Sequence, residues 1–142
     1  MENVKLKVLS IIGIVGGLIG NHLGGWDLAL KTLCIFMIID YTTGVVVGKL
    51  NRSPKTETGG LSSKIGFKGL CKKGMSLVIV LVAYRMDLLI GSEFMRSAVI
   101  IGYTVNEIIS ILENAGLLGM YIPPVLQKGI EILNKKAEGD IK

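Results

Sequence analysis

The chain has 142 residues, of which 50% are hydrophobic and only 19% charged, and its mean hydropathy is +0.58. Soluble domains carry roughly a quarter charged residues, and disordered chains are far less apolar. The composition therefore excludes both classes and indicates a membrane-embedded protein with a net charge of +5. Two cysteines, Cys34 and Cys71, are too few for a disulfide framework or a metal site, so no cofactor or metal is expected.

Four segments are long and apolar enough to cross about 30 Å of hydrocarbon as helices. In chain order they are 8–24, 28–48, 75–91 and 97–119. We therefore predict an all-α integral membrane protein of about four transmembrane helices, forming a single domain over 1–142. The third segment carries Arg85 and Asp87 and is the weakest, so a three-span arrangement stays open.

The first span follows Lys5 and Lys7, as in a signal peptide, but no small-residue cleavage site and polar mature domain come after it. We interpret it as a retained span. It carries glycines four residues apart, a spacing that lets two helix backbones approach closely, and the second span has one such pair. The predicted helix-association residues are Gly13, Gly16, Gly17, Gly20, Gly24, Gly44 and Gly48. Whether the partner helix belongs to the same chain or to another subunit is left open.

The segment 49–74, expected to be a loop, holds seven Lys or Arg against the single acid Glu57. Basic residues in short loops stay on the cytoplasmic side, so we predict a cytoplasmic loop in the bacterial cytoplasmic membrane. With four spans, the N-terminus and the tail 120–142 are then cytoplasmic too, and the tail is expected to form a short amphipathic helix. The basic residues expected near the anionic inner leaflet are Lys64, Lys68, Lys72 and Lys73. Aromatic platforms for nucleic acid are lacking, so no nucleic-acid partner is expected.

Ionisable side chains at membrane depth cost roughly 2.5–3.5 kcal/mol each and normally face protein or water. At about 1.5 Å per residue from the cytoplasmic ends, Asp40 lies about 12 Å deep and Arg85 about 15 Å, while Asp87 and Glu107 lie about 18 Å deep. Arg85 is therefore predicted to meet Asp40 or Glu107.

Polar residues of the fourth span recur at helical spacing and form one polar stripe, suited to joining helices or to lining a water-filled opening. The predicted membrane-buried polar residues, with roles in a pore or in assembly, are Asp40, Arg85, Asp87, Asn106, Glu107, Ser110, Glu113 and Asn114. The one histidine, His22, has no cluster of acids or cysteines around it. No catalytic apparatus is recognisable, so the protein is not expected to be an enzyme.

Three motifs occur in a fixed order: DYTTG at 40–44, SSKIGFKGLCKK at 62–73 and NEIISILENAGLLGMYIPP at 106–124. Together they resemble the phage holin and toxin-secretion holin family of Gram-positive bacteria and their phages. The resemblance covers about 39–124, and the third motif is its most specific part. The positions matching the family pattern are Asp40, Gly44, Ser63, Gly66, Gly69, Leu70, Lys72, Lys73, Asp87, Asn106, Glu107, Ser110, Glu113, Asn114, Gly119 and Pro123. Arg85 has no place in that pattern.

The resemblance implies a homo-oligomer that forms timed lesions in the cytoplasmic membrane. Through these lesions a cytoplasmic murein-degrading endolysin reaches the cell wall and lyses the host, or a toxin is secreted. It implies no catalytic role for any matching residue. Two alternatives remain: a small proton-coupled multidrug-type transporter, for which the aromatics are too few and scattered, and a membrane anchor that recruits a cytoplasmic partner through the basic loop.

Overall fold

The computed structural model describes residues 1–139, and the regular structure in that range is helical throughout. The helices are α1 (Glu2–His22), α2 (Leu28–Lys49), α3 (Ser63–Ile90), α4 (Phe94–Leu117) and α5 (Pro124–Glu138). The predicted all-α class is confirmed for this range. The end of the predicted tail, 140–142, lies outside the described residues.

Local sequence sets several helix boundaries. The side chains of Asp27 and Ser62 accept hydrogen bonds from backbone N–H groups three residues on, and so cap the starts of α2 and α3. α3 ends at Gly91, whose φ of +70° is a left-handed conformation that favours glycine. α5 begins with Pro124, where the missing N–H leaves no helical hydrogen bond unmade.

α4 is the centre of the bundle, because it packs against α2, α3 and α5, whereas α2 and α3 touch each other only sparsely. The buried core cluster consists of Leu23, Leu30, Leu33, Met37, Val80 and Ile100. We call the end of the bundle with the α1–α2 and α3–α4 turns the turn end. The opposite end, with residues 50–62, is the loop end.

The predicted loop 49–74 is wrong over its second half, because α3 starts at Ser63 and makes residues 63–74 helical. The glycines of this stretch lie inside the helix: a Cβ added to Gly66 would lie 3.4 Å from Tyr41 Oη of α2, whereas Gly69 and Gly74 have open space at that position. The connection between α2 and α3 is therefore 50–62 alone.

Three of the described helices, α1, α2 and α4, are long and apolar enough to cross a membrane. They coincide with the predicted spans 8–24, 28–48 and 97–119. The predicted span 75–91 lies inside α3, which is not among them because charged residues interrupt its apolar part. Helices able to span a membrane are thus confirmed, but the predicted number of four such helices is not.

Almost all of α1 is exposed, and Gly20 is its one buried residue. Its contact with the rest of the chain includes the Trp26 indole, whose Nε1 donates a 2.9 Å hydrogen bond to the Gly16 carbonyl. Most of the apolar side chains of α1 are exposed. The rest of the chain therefore leaves most of the apolar surface of α1 uncovered.

Candidate functional site

Three charged side chains from three helices meet inside the bundle. Lys73 Nζ of α3 lies 2.7 Å from Asp40 Oδ2 of α2 and 2.5 Å from Glu107 Oε2 of α4. The three side chains are only 12–15% exposed. We call Asp40, Lys73 and Glu107 the charge triad. One ammonium group serves two carboxylates, so with all three ionised the triad carries a net charge of −1.

A second buried polar group extends the triad. Asn114 Nδ2 of α4 donates to Asp40 Oδ1 at 3.2 Å and to Thr43 Oγ1 at 2.9 Å. Gly44 lies beside this amide, since a Cβ there would make an ordinary contact of 3.8 Å with Asn114 Nδ2. The family-matching residues Asp40, Gly44, Lys73, Glu107 and Asn114 therefore form one connected site between α2, α3 and α4.

The predicted pairing of Arg85 with Asp40 or Glu107 is wrong. Arg85 is exposed, and its guanidinium lies 3.4 Å from His22 Nδ1. Its depth was counted from a span beginning near 75, whereas α3 begins at Ser63. Lys73 precedes Arg85 by twelve residues, about 18 Å along a helix, and Lys73 is the residue level with the two carboxylates.

Lys73 was expected to be in the basic loop, so its role in the triad is a correction as well. The more protected face of α3 includes Ile65, Gly69, Lys73, Leu77 and Val80, a helical repeat. If the helical repeat of the predicted third span, 75–91, is continued towards the N-terminus, Lys73 falls on this face. The other three predicted basic residues, Lys64, Lys68 and Lys72, are exposed on α3.

Asp87 is buried but serves as a helix cap. Its carboxylate oxygens accept hydrogen bonds from the backbone N–H groups of Met95 at 3.0 Å and Arg96 at 2.7 Å. A carboxylate at the N-terminal turn of α4 also interacts favourably with the helix dipole. Asp87 thus joins α3 to the start of α4, away from the charge triad.

Arg96 is a buried residue that the sequence analysis does not single out, because it falls between the predicted spans 75–91 and 97–119. Its Nε donates to the Leu23 carbonyl and its Nη1 to Asp27 Oδ2, both at 2.6 Å. Burial opposes ionisation of Asp27, but the hydrogen bonds from Arg96 and from Leu30 N–H outweigh it and lower the pKa of Asp27. The ion pair fastens the α1–α2 turn to α4 at the turn end.

The predicted polar stripe of α4 is divided between different surroundings. Glu107 and Asn114 face the interior and Ser110 is half-buried, whereas Asn106 and Glu113 are exposed. The interior members join helices, as one of the two interpretations proposed. The exposed members leave polar groups on the outside of a helix that is long and apolar enough to cross a membrane.

The predicted association glycines also fall into separate groups. Gly13, Gly16 and Gly17 have open space where a Cβ would be, whereas a Cβ at Gly20 would overlap the Trp26 indole. Gly24 lies beyond the end of α1 with φ of +89°, so the 20/24 spacing is not a helical pair. Gly48 packs close to Leu61 of the connection.

An open cavity of about 110 Å³ lies between α2, the connection 50–62 and α3. It is lined by Lys55 and Thr56 from the connection and reaches Asp40 and Lys73. Small residues, among them Gly44 and Gly69, leave this space. Two members of the charge triad, Asp40 and Lys73, therefore border an open cavity at the loop end.

The sequence pattern of the bacteriophage holin family matches residues 17–135. An uncharacterized 14.9 kDa protein of Clostridium perfringens is 38% identical over 96% of this chain and 99% of its own length. Another uncharacterized protein, from Listeria monocytogenes, is 38% identical over 95% of this chain and 94% of its own. A probable holin of Bacillus phage phi105 is 27% identical over 78% of this chain and 81% of its own. No solved structure matches this chain. The matching region contains the whole charge triad, and the chain belongs to the bacteriophage holin family.

Proposed function

We propose that this protein is a holin whose copies associate in the bacterial cytoplasmic membrane and form timed lesions. The lesions release a murein-degrading endolysin for host lysis, or a toxin for secretion. Membership of the holin family and the similarity to a probable phage holin support this proposal. In this proposal the chain itself catalyses no reaction, because the endolysin degrades the cell wall.

The observation that carries the proposal is the exposed polar surface of α4. Asn106 and Glu113 are exposed on a helix otherwise suited to hydrocarbon. Polar groups at membrane depth need protein or water around them, and in the protomer these two side chains stay exposed in open grooves, Asn106 beside Asn134 and Glu113 beside Lys55. Several copies enclosing water would supply both.

Charge distribution supports an orientation with the loop end in the cytoplasm. Lys49, Arg52, Lys55, Lys64 and Lys68 all lie in or next to the connection 50–62, and basic residues are retained on the cytoplasmic side. α1 ends at the turn end, so its basic beginning is on the cytoplasmic side when it crosses the membrane. α3, which runs from the loop end to the turn end, then supplies a fourth crossing shielded partly by α4.

The test is inducible expression in bacteria together with a murein hydrolase that lacks a secretion signal. Membrane potential, culture density and extracellular hydrolase activity are recorded together, and a strain without the hydrolase is the control. We expect depolarisation after a reproducible delay in both strains, and lysis in the hydrolase strain alone. Depolarisation without hydrolase release would contradict enzyme-sized lesions, and an unchanged potential would contradict the holin proposal itself.

A further inference from the structure

The charge triad has one cation for two acids. Asp40 and Glu107 lie near the middle of α2 and α4, two of the helices that are able to cross a membrane. Both carboxylates bind the same Lys73 Nζ, so they are close to each other as well. Two carboxylates that share one site repel each other, and an unbalanced charge at membrane depth is costly. A proton on one of them makes the triad neutral and removes both penalties.

The hydrogen bonds identify which carboxylate takes the proton. Asp40 accepts from Asn114 Nδ2 at 3.2 Å in addition to Lys73, and each such bond favours the ionised form of a carboxylate. Among residues 1–139, Lys73 is the one hydrogen-bond donor to Glu107. The ionised form of Glu107 is therefore less stabilised than that of Asp40, and Glu107 is the proton acceptor.

The other charged groups of the elements around the triad are exposed. The connection 50–62 contributes Lys55, which lines the cavity that reaches Asp40 and Lys73, and α4 contributes Glu113, which lines a groove together with Lys55. The phenol of Tyr41 borders the cavity but is neutral at ordinary pH. Water weakens the effect of exposed charges on the triad. The exposed charged residues of α3 and α5 are Lys64, Lys68, Lys72, Arg85, Lys128, Glu131, Lys135, Lys136 and Glu138.

We propose that Glu107 reversibly binds a proton, and that this proton keeps the protomer in its packed form until lesions develop. The proton comes from water at the loop end, through the cavity beside Asp40 and Lys73, and adds to a carboxylate oxygen of Glu107. On release it returns to water and leaves the triad with a net charge of −1. The neutral triad suits a bundle in lipid, whereas the anionic triad favours contact with water. This inference rests on the proposed holin function and names the regulation of its lesions.

Infrared difference spectroscopy tests the bound proton directly. The C=O stretching band of protonated carboxyl groups is recorded on the full-length protein in detergent, at pH values where exposed carboxylates are already ionised. We expect the parent to show a band that disappears as the pH is raised further and that Glu107→Gln lacks. Glu57→Gln, which changes an exposed acid of the connection, should keep the band. Identical spectra for the parent and Glu107→Gln would overturn the proposal.

A second variant tests whether the sharing of one ammonium is the cause. Asp40→Asn leaves Lys73 with a single carboxylate partner, so Glu107 should stay ionised. The band should then vanish although Glu107 is still present. Circular dichroism checks that the variant keeps its helices. A band that persists in a folded Asp40→Asn protein would show that burial alone holds the proton and would overturn the shared-ammonium explanation.

Dye release from liposomes tests the effect of the proton on lesions. Equal amounts of protein are reconstituted into vesicles with the same buffer inside and outside, and the rate of release is measured over a pH series. Where the band is present, the rate in the parent should fall by up to about tenfold per pH unit, because the ionised fraction of Glu107 falls by that factor. Glu107→Gln should release dye slowly at every pH, whereas Glu57→Gln should follow the parent. The same pH dependence in Glu107→Gln and in the parent would overturn the proposal.

Failure of this inference is distinguishable from failure of the proposed function. If the parent depolarises cells and releases hydrolase but shows no band that depends on Glu107, the inference alone is overturned. If the parent neither depolarises cells nor releases dye at any pH, the holin proposal is overturned, and the regulatory role of the proton is overturned with it.

Discussion

Lys73 Nζ lies 2.7 Å from Asp40 Oδ2, although the two residues are 33 positions apart and belong to different helices. The same ammonium binds Glu107 of a third helix, so a single lysine connects α2, α3 and α4. Because α2 and α3 otherwise touch each other only sparsely, the Lys73–Asp40 ion pair adds a direct link between these two helices.

Replacement of this lysine is expected to destabilise the protein. Lys73→Met leaves Asp40 and Glu107 facing each other without a counter-charge, and removal of one partner of a buried ion pair costs about 3–5 kcal/mol. Unfolding in detergent, followed by circular dichroism, measures the loss. The control is Lys72→Met, whose side chain is exposed and whose effect should stay within about 0.5 kcal/mol. Equal stabilities for the two variants would show that the triad does not hold the bundle together.

Neutralising one carboxylate should change when lesions form. Glu107→Gln reduces the triad to one ammonium and one carboxylate, and so removes the excess negative charge that favours contact with water. We expect depolarisation to begin later than in the parent at equal expression. Glu57→Gln is the matched control, because Glu57 is exposed in the connection 50–62 and lies outside the triad. An onset identical to that of the parent would leave Glu107 as a tolerated polar residue.

The open glycines of α1 predict a contact between copies. Gly13→Leu fits the protomer, since the space at its Cβ is empty, yet it would separate two helices packed through this face. We expect weaker ladders after chemical crosslinking with unchanged helix content. Ile14→Leu, at an exposed neighbouring position, should keep the parental ladders. Gly20→Leu is unsuitable for this test because the added side chain would displace the Trp26 indole of the same chain.

The turn end should loosen in acid. The pKa of Asp27 is lower in the folded protein than its ordinary value, against the effect of burial, because Arg96 and the Leu30 N–H bind the carboxylate. Its contribution to stability is therefore complete above the ordinary aspartate pKa and is lost as the pH falls through the lowered value.

Trp26, the one tryptophan of the chain, lies next to this ion pair in sequence and reports the change. Its fluorescence in detergent should shift as the pH falls below the ordinary aspartate pKa, because the bound carboxylate becomes protonated only there. Asp27→Asn should remove that part of the shift, because the amide does not titrate. The same acid transition in both proteins would assign it to other carboxylates.

The apolar helices could be predicted from sequence, whereas the way their polar faces meet could not. α2 and α4 are continuous apolar segments with caps or turns at their ends, so their bounds fall within a few residues of the predicted spans. Asp40, Glu107 and Asn114 were identified as buried polar residues because charge and amide groups stand out in such segments. Their partners depend on the rotation of each helix about its axis, which depth along the chain does not give.

Two residues show why the remaining interactions were missed. Lys73 lies in a stretch of lysines and glycines that is typical of a loop, and its burial depends on a helix that starts ten residues earlier. Arg96 lies at the first turn of α4, and besides its ion pair with Asp27 it donates hydrogen bonds to the carbonyl groups of Leu23 and Gly25. Every residue has a backbone carbonyl, so a sequence pattern does not indicate which carbonyl groups Arg96 contacts.

The order of the charge triad along the chain also has a consequence for biosynthesis. Asp40 is synthesised first, Lys73 of α3 follows, and Glu107 of α4 comes last. A nascent chain that has inserted α2 alone holds an unpaired aspartate, and the arrival of α3 neutralises it. The arrival of α4 then gives the charge triad its net charge of −1. Completion of the protomer therefore restores at this site the net negative charge that insertion of α3 had neutralised.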